Sequence, residues 1–184
     1  WKQGLPAGHI KLGVVNREIG VEFADGDQQF ANATGGVASA AINVTDSVKL
    51  LANGSYGQGM AHYYNDLSGF GDSGMDGYVY AGRNLQPLLA QGSYLGSQWQ
   101  LNPAWTLAMV AGEVTIESDT ALPAEALRRT RYGTLTAVHQ YTPALSYGAE
   151  LSYGLRDNQA GDRSEAPRVQ FNMTYRFAHT SRPG

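Results

Sequence analysis

Residues 168–177, RVQFNMTYRF, alternate polar and apolar side chains without interruption. Side chains on a β-strand project to opposite faces in turn, so Val169, Phe171, Met173, Tyr175 and Phe177 must form one apolar wall. Arg168, Gln170, Asn172, Thr174 and Arg176 form the wet wall behind it. Such a strand has two uses. Its apolar wall is the core of a soluble sandwich, or it faces lipid in a transmembrane barrel, where about 9–11 tilted residues cross the hydrocarbon. The rest of the sequence has to decide between them.

The pattern recurs about eight times, over residues 8–23, 29–45, 47–61, 85–101, 105–117, 130–142, 144–157 and 167–177. The segment 145–156 repeats it cleanly, with Leu145, Tyr147, Ala149, Leu151, Tyr153 and Leu155 on one face. Strands four to six are less regular, and His139 falls on the apolar face, where only a place near an interface suits it. Long helical periodicity is absent, with one or two helical turns expected within residues 122–131.

The connections point to lipid. Thr45-Asp46-Ser47, Asn102-Pro103-Ala104 and Thr142-Pro143-Ala144 carry tight-turn chemistry. Between them lie polar, Gly-rich stretches at 24–28, 61–84, 118–129 and 157–166. Short and long links are therefore expected to alternate strictly, as in outer-membrane barrels with short periplasmic turns and long external loops.

Composition fits the same class. No run approaches the roughly 18 apolar residues of a transmembrane helix, and the mean hydropathy of -0.32 is compatible with half-apolar strands. The 23 Gly and 11 Tyr suit tapered strands and aromatic girdles. A formal charge of -3 supplies no basic excess for nucleic acid. With no cysteine, disulfides, thiolate metal sites and cysteine nucleophiles are excluded. Beginning at Trp1, the chain reads as a processed or truncated piece.

Chemistry-bearing groups are mostly cations. Lys11, Arg17, Lys49, Arg156, Arg168 and Arg176 fall on the wet face, where a water-filled lumen would use them to select anions. Pairing with Glu22, Glu113 and Glu150 is the plainer use. Arg128, Arg129 and Arg131, where a long loop rejoins its strand, are expected at the pore mouth. The loop acids Asp25, Asp27, Asp66, Asp72 and Asp76 lack EF-hand spacing, and His9, His62, His139 and His179 lack ligand spacing, so no metal or cofactor is expected. No nucleophile elbow or other catalytic motif supports an enzyme. Trp99, Trp105, Tyr141, Tyr147 and Tyr153 read as an interface girdle in preference to a sugar-stacking surface.

Three stretches carry a family likeness: GHIKLGVVNREIGVEF (8–23), GSYGQGMAHYYNDLSG (54–69), and ALRRTRYGTL with LSYGAELSYGLRDNQAGDRSEAPRVQFNMTYRF (126–177). They resemble the C-terminal half of the DcaP-like porins, trimeric outer-membrane channels of Gram-negative bacteria. The resemblance implies an all-β, antiparallel, up-and-down transmembrane β-barrel. About eight strands are present here, half of a barrel of about 16. It implies passive passage of small anions, dicarboxylates and aromatic acids among them, and assembly as a homotrimer. It brings no cofactor and no catalysis. Arg17, Arg129, Arg156, Arg168 and Arg176 match family positions. Phe177 is then the terminal aromatic read by barrel-assembly machinery, residues 1–177 form the barrel and 178–184 a disordered tail. The alternative is a small filled eight-stranded barrel serving as an anchor, adhesin or binding protein without a channel.

Overall fold

The computed structural model describes residues 7–64, 76–80, 82–118 and 121–177. The tail 178–184, with His179, and the loop acids Asp66 and Asp72 lie outside the described residues. Eight long strands form one antiparallel sheet: β1 (Gly8–Glu22), β2 (Gln28–Asn43), β3 (Val48–Gln58), β6 (Leu89–Asn102), β7 (Trp105–Glu117), β8 (Leu127–Gln140), β9 (Leu145–Asn158) and β10 (Arg163–Tyr175). A two-stranded hairpin, β4 (Gly77–Tyr80) and β5 (Asn84–Pro87), lies between β3 and β6 in the chain. No α-helix occurs among the described residues.

The eight strands do not close. They run in the order β1-β2-β3-β6-β7-β8-β9-β10, so β1 and β10 are the two edges. The expected closed barrel is thus an open sheet in this chain.

Register fixes the two faces. One row crosses every strand: Gly8, Ile42, Leu50, Ser97, Met109, Leu135, Leu151 and Val169 stand side by side. Because pairing partners share a face, these residues form an apolar belt. Protein does not cover it. Leu95 is 70% exposed and Leu151 55%, although β6 and β9 are interior strands. The belt is bordered at the turn end by rings. His139 lies 4.6 Å from Trp105 and 5.0 Å from Tyr147, and Phe177 stacks on Tyr175 at 6.4 Å. That setting explains a histidine on the apolar face, since amphipathic rings suit a membrane–water boundary.

The tight turns are built as their residue types require. The Asn102 side-chain oxygen accepts from the backbone N–H groups of Ala104 and Trp105, at 2.9 and 3.0 Å. The Thr142 hydroxyl accepts likewise from Ala144 and Leu145, at 3.3 and 3.0 Å. Short side-chain acceptors satisfy donors that the ladder leaves over.

Three expectations are corrected. Links 23–27 and 159–162 are as short as the turns at the other end, so strict alternation fails. Pairing continues there beyond the apolar stretch, as far as Glu22↔Gln28 and Arg163↔Asp157, because strands extending into water can be polar on both faces. Residues 122–131 form no helical turns; β8 begins at Leu127. The stretch 61–84 is also no plain loop. It holds a 3-10 turn (Ala61–Tyr63) and β4.

Candidate pore-lining site

The face opposite the belt is lined by small and polar residues. A representative row reads Lys11, Ser39, Asn53, Tyr94, Gly112, Tyr132, Gly154 and Ala166. Lys11, Arg17, Lys49, Arg156 and Arg168 all fall on this polar face by register, and Arg176 lies just past the end of β10. Glu150 is the one acid that the described strand residues place within the paired rows of this face. It accepts from Thr136 at 3.0 Å and pairs with Arg168 at 3.2 Å. Lys11, Lys49 and Arg176 make no ion pair among the described residues.

The described parts of the segment between β3 and β6 fold onto this face. The chain leaves β3 at Gly59, whose φ of 64° lies in the left-handed region that glycine enters without steric cost. Its N–H donates to the Leu88 carbonyl at 2.8 Å, joining the start of the segment to its end. Met60, Ala61 and Leu88 then pack on Ala90, Val114 and Ile116, with Val15, Tyr64, Tyr78 and Leu127 at the margin. This small apolar core sits on the polar face, near its loop end. It also explains why the alternation of the middle strands is irregular. Ala90, Val114 and Ile116 are apolar on the wet side because a segment of the same chain covers them.

Two glycines seat tyrosines. A Cβ built on Gly92 would stand 2.4 Å from the Tyr64 ring, and one on Gly112 2.7 Å from the Tyr132 ring. With Tyr63 and Tyr94 these rings line a hollow of about 350 Å³ bordered by Asn53 and Ser55.

Arg17 anchors the segment. Its guanidinium pairs with Asp76, donates to the Gly59 carbonyl at 2.8 Å, and lies 5.2 Å from the centre of the Tyr63 ring. Asp76 also accepts from the His62 N–H at 2.9 Å. The tip of the β4–β5 hairpin is fastened separately. Arg83 pairs with Asp25 and, at 2.9 Å, with Asp27, and stacks over Phe23 at 4.8 Å. The Arg83 guanidinium holds the Asp25 carboxyl below its ordinary range. The acids Asp25, Asp27 and Asp76 thus serve as anchors for arginines.

Arg129 and Arg131 do not share the polar face. Register aligns Arg131 with Glu113 and Leu155, and Arg129 with Thr115 and Asp157, in the rows that continue the belt. The pore-mouth expectation concerned place along the strand, and both residues stand near the loop end of β8, in unbroken alternation with Leu135 of the belt. Arg128 is the bulge residue and is exposed. Residue types alone gave no hint of Asp76 as the partner of Arg17 or of the rings on Gly92 and Gly112. The broken alternation of β6 and β7 was the available signal.

The outer membrane channel DcaP of Acinetobacter baumannii superposes on the chain with a TM-score of 0.68 at 17% identity, over 95% of this chain and 55% of that one. The chain has the fold of an outer membrane channel. It spans about half the length of that protein. That channel's family is the one that the stretches at 8–23, 54–69 and 126–177 resemble, and at this identity the likeness is one of fold. No family model matches the chain, and no curated protein matches it.

Proposed function

We propose that the chain forms part of the wall of a bacterial outer-membrane porin that passes small anionic solutes by passive diffusion. The observation that carries this reading is the pairing of an uncovered apolar belt with a polar face rich in cations, in a sheet with a channel's fold. On that face Lys11, Arg17, Lys49, Arg156, Arg168 and Arg176 stand against Glu150 and Asp76. Arg17 is neutralised by Asp76, and Arg168 is partly neutralised by Glu150. The selectivity wall is therefore assigned first to Lys11 and Lys49, which have no such partner. Dicarboxylates and aromatic acids fit a lumen with cations on its wall and tyrosines around a hollow of that wall.

Closure needs further strands at both edges, because lipid offers no water to unpaired backbone groups. A filled eight-stranded barrel would instead need β1 to pair with β10, and these are opposite edges of the sheet. A Gram-negative outer membrane, a homotrimer and insertion by the barrel-assembly machinery complete the proposal.

Planar-bilayer recording on the protein together with the strands that close the sheet tests it. Stepwise conductance with a reversal potential favouring anions is expected, shifting toward cations in Lys11→Glu/Lys49→Glu. A folded protein without conductance would refute the porin, and an unchanged reversal potential would remove those lysines from the selectivity wall.

A further inference from the structure

Past the belt, the outward face turns from apolar to ionic within one step along three neighbouring strands. On β9 Leu155 is followed on the same face by Asp157, on β7 Ala111 by Glu113, and on β8 Gly133 by Arg131. Asp157, 5% exposed, accepts from Arg129 Nε at 3.1 Å, Arg131 at 3.0 Å and Arg163 Nε at 2.8 Å. Glu113 is farther off, 3.9 Å from Arg129 and 4.0 Å from Arg131. Of the other acids on this face, Glu165 is taken by the Tyr153 hydroxyl and Glu117 accepts from the Gln91 amide at 3.3 Å. One carboxylate thus holds three guanidinium groups, and the exposed bulge residue Arg128, next to Arg129 in the chain, adds a fourth cation to this end of β8. Arg131 Nε has no hydrogen-bond partner, and Arg163 is half exposed.

A groove lies directly beneath this rim. It has a volume of about 960 Å³, its lining is apolar, and it runs along the belt past Leu95, Met109, Ala111, Leu135, Leu151 and Tyr153. Its upper end at Tyr153 is one step along the face from Leu155, which pairs with Arg131. Cations above an apolar channel match a molecule with an anionic head and hydrocarbon tails. The guanidinium fork favours phosphate as that head.

We propose that the Arg128, Arg129, Arg131 and Arg163 rim, with the groove below it, binds a phosphate-bearing lipid of the outer leaflet. The inference rests on the porin reading, which turns the belt to lipid and the loop end outward.

The test uses the protein with the strands that close the sheet, in nanodiscs of phosphatidylcholine with or without diphosphorylated lipid A. Membrane insertion is scored separately by protease protection, and lipid retained in detergent is read by native mass spectrometry. Retention of the phosphorylated lipid is expected, and excess inorganic phosphate should not displace it. Arg128→Gln and Arg163→Gln should each weaken retention about fivefold, the worth of one cation at an anionic lipid surface. Arg128 lies outside the Asp157 network, so its variant leaves the ion pairs in place. Ala111→Trp, which fills the groove, should also lower retention. An inserted protein that retains the lipid equally in all variants, or loses it to inorganic phosphate, would overturn the lipid site alone. A protein that does not insert would overturn the porin reading with it.

Discussion

Arg17 and Arg131 are both strand arginines held by carboxylates, yet they stand on opposite faces of the sheet. Arg17 ties a segment of the chain down over the polar face through Asp76. Arg131 and its neighbours gather around Asp157 on the outward face, beyond the belt. The difference teaches that, in a sheet wet on one side and greasy on the other, parity decides what a charge can do. One residue along a strand is enough to move a cation from the candidate lumen to the candidate lipid rim.

The sharpest way to break this assignment is to place the same new charge on adjacent residues. Leu151→Arg should cost about 2–4 kcal/mol of folding stability in lipid vesicles, the penalty for a cation at mid-membrane on a lipid face. Ser152→Arg, one residue along on the polar face, should cost less than about 1 kcal/mol. Equal losses in denaturant titrations of the inserted protein would show that the faces are misassigned.

Removing the anchor of the folded-over segment comes next. Arg17→Ala deletes the Asp76 pair, the Gly59 hydrogen bond and the Tyr63 contact. About 1–3 kcal/mol of local stability should go with a charged hydrogen bond of this kind. Hydrogen exchange at residues 61–64 should quicken and single-channel conductance should rise. No change in either would mean that the apolar contacts of Met60 and Leu88 hold the segment unaided.

A smaller effect separates two glycines. Gly92→Ala should push the Tyr64 ring aside and alter conductance, while Gly54→Ala, with nothing within 4 Å of its new Cβ, should leave it unchanged. Both should remain within about 1 kcal/mol of the parent in stability.

The smallest effect concerns pH at the hairpin tip. The folded state lowers the Asp25 carboxyl below its ordinary value. Its pairing with Arg83 is therefore fully present above the ordinary carboxylate range and lost as pH falls through and below it. Exchange at residues 82–84 should quicken below about pH 4, and Asp25→Asn should abolish that pH dependence. A pH-dependent rate that survives in Asp25→Asn would assign it to another group.

Much of the fold was legible because the strand signal is local. The eight long strands appear within a few residues of where alternation puts them, from 8–23 read for Gly8–Glu22 to 167–177 read for Arg163–Tyr175. His139 was explicable by its distance from a turn. What escaped was whatever depended on a second segment arriving. Val114 and Ile116 look like errors in a polar face until Met60 and Leu88 are laid on them. Asp76 looks like one loop acid among several until Arg17 reaches it. That Arg129 and Arg131 gather on Asp157 shows only once β9 lies beside β8.

The sequence by itself determined that this chain makes two-faced strands joined by tight turns at one end. Period-two alternation and Asx or threonine turns act over a few residues and need no distant partner. Tertiary structure alone decided that the sheet stays open, that Met60, Ala61 and Leu88 cover part of the polar face, and that the loop-end arginines divide between the two faces. Those outcomes depend on register, and register is set between strands, by which rows pair across the sheet and where a bulge displaces them.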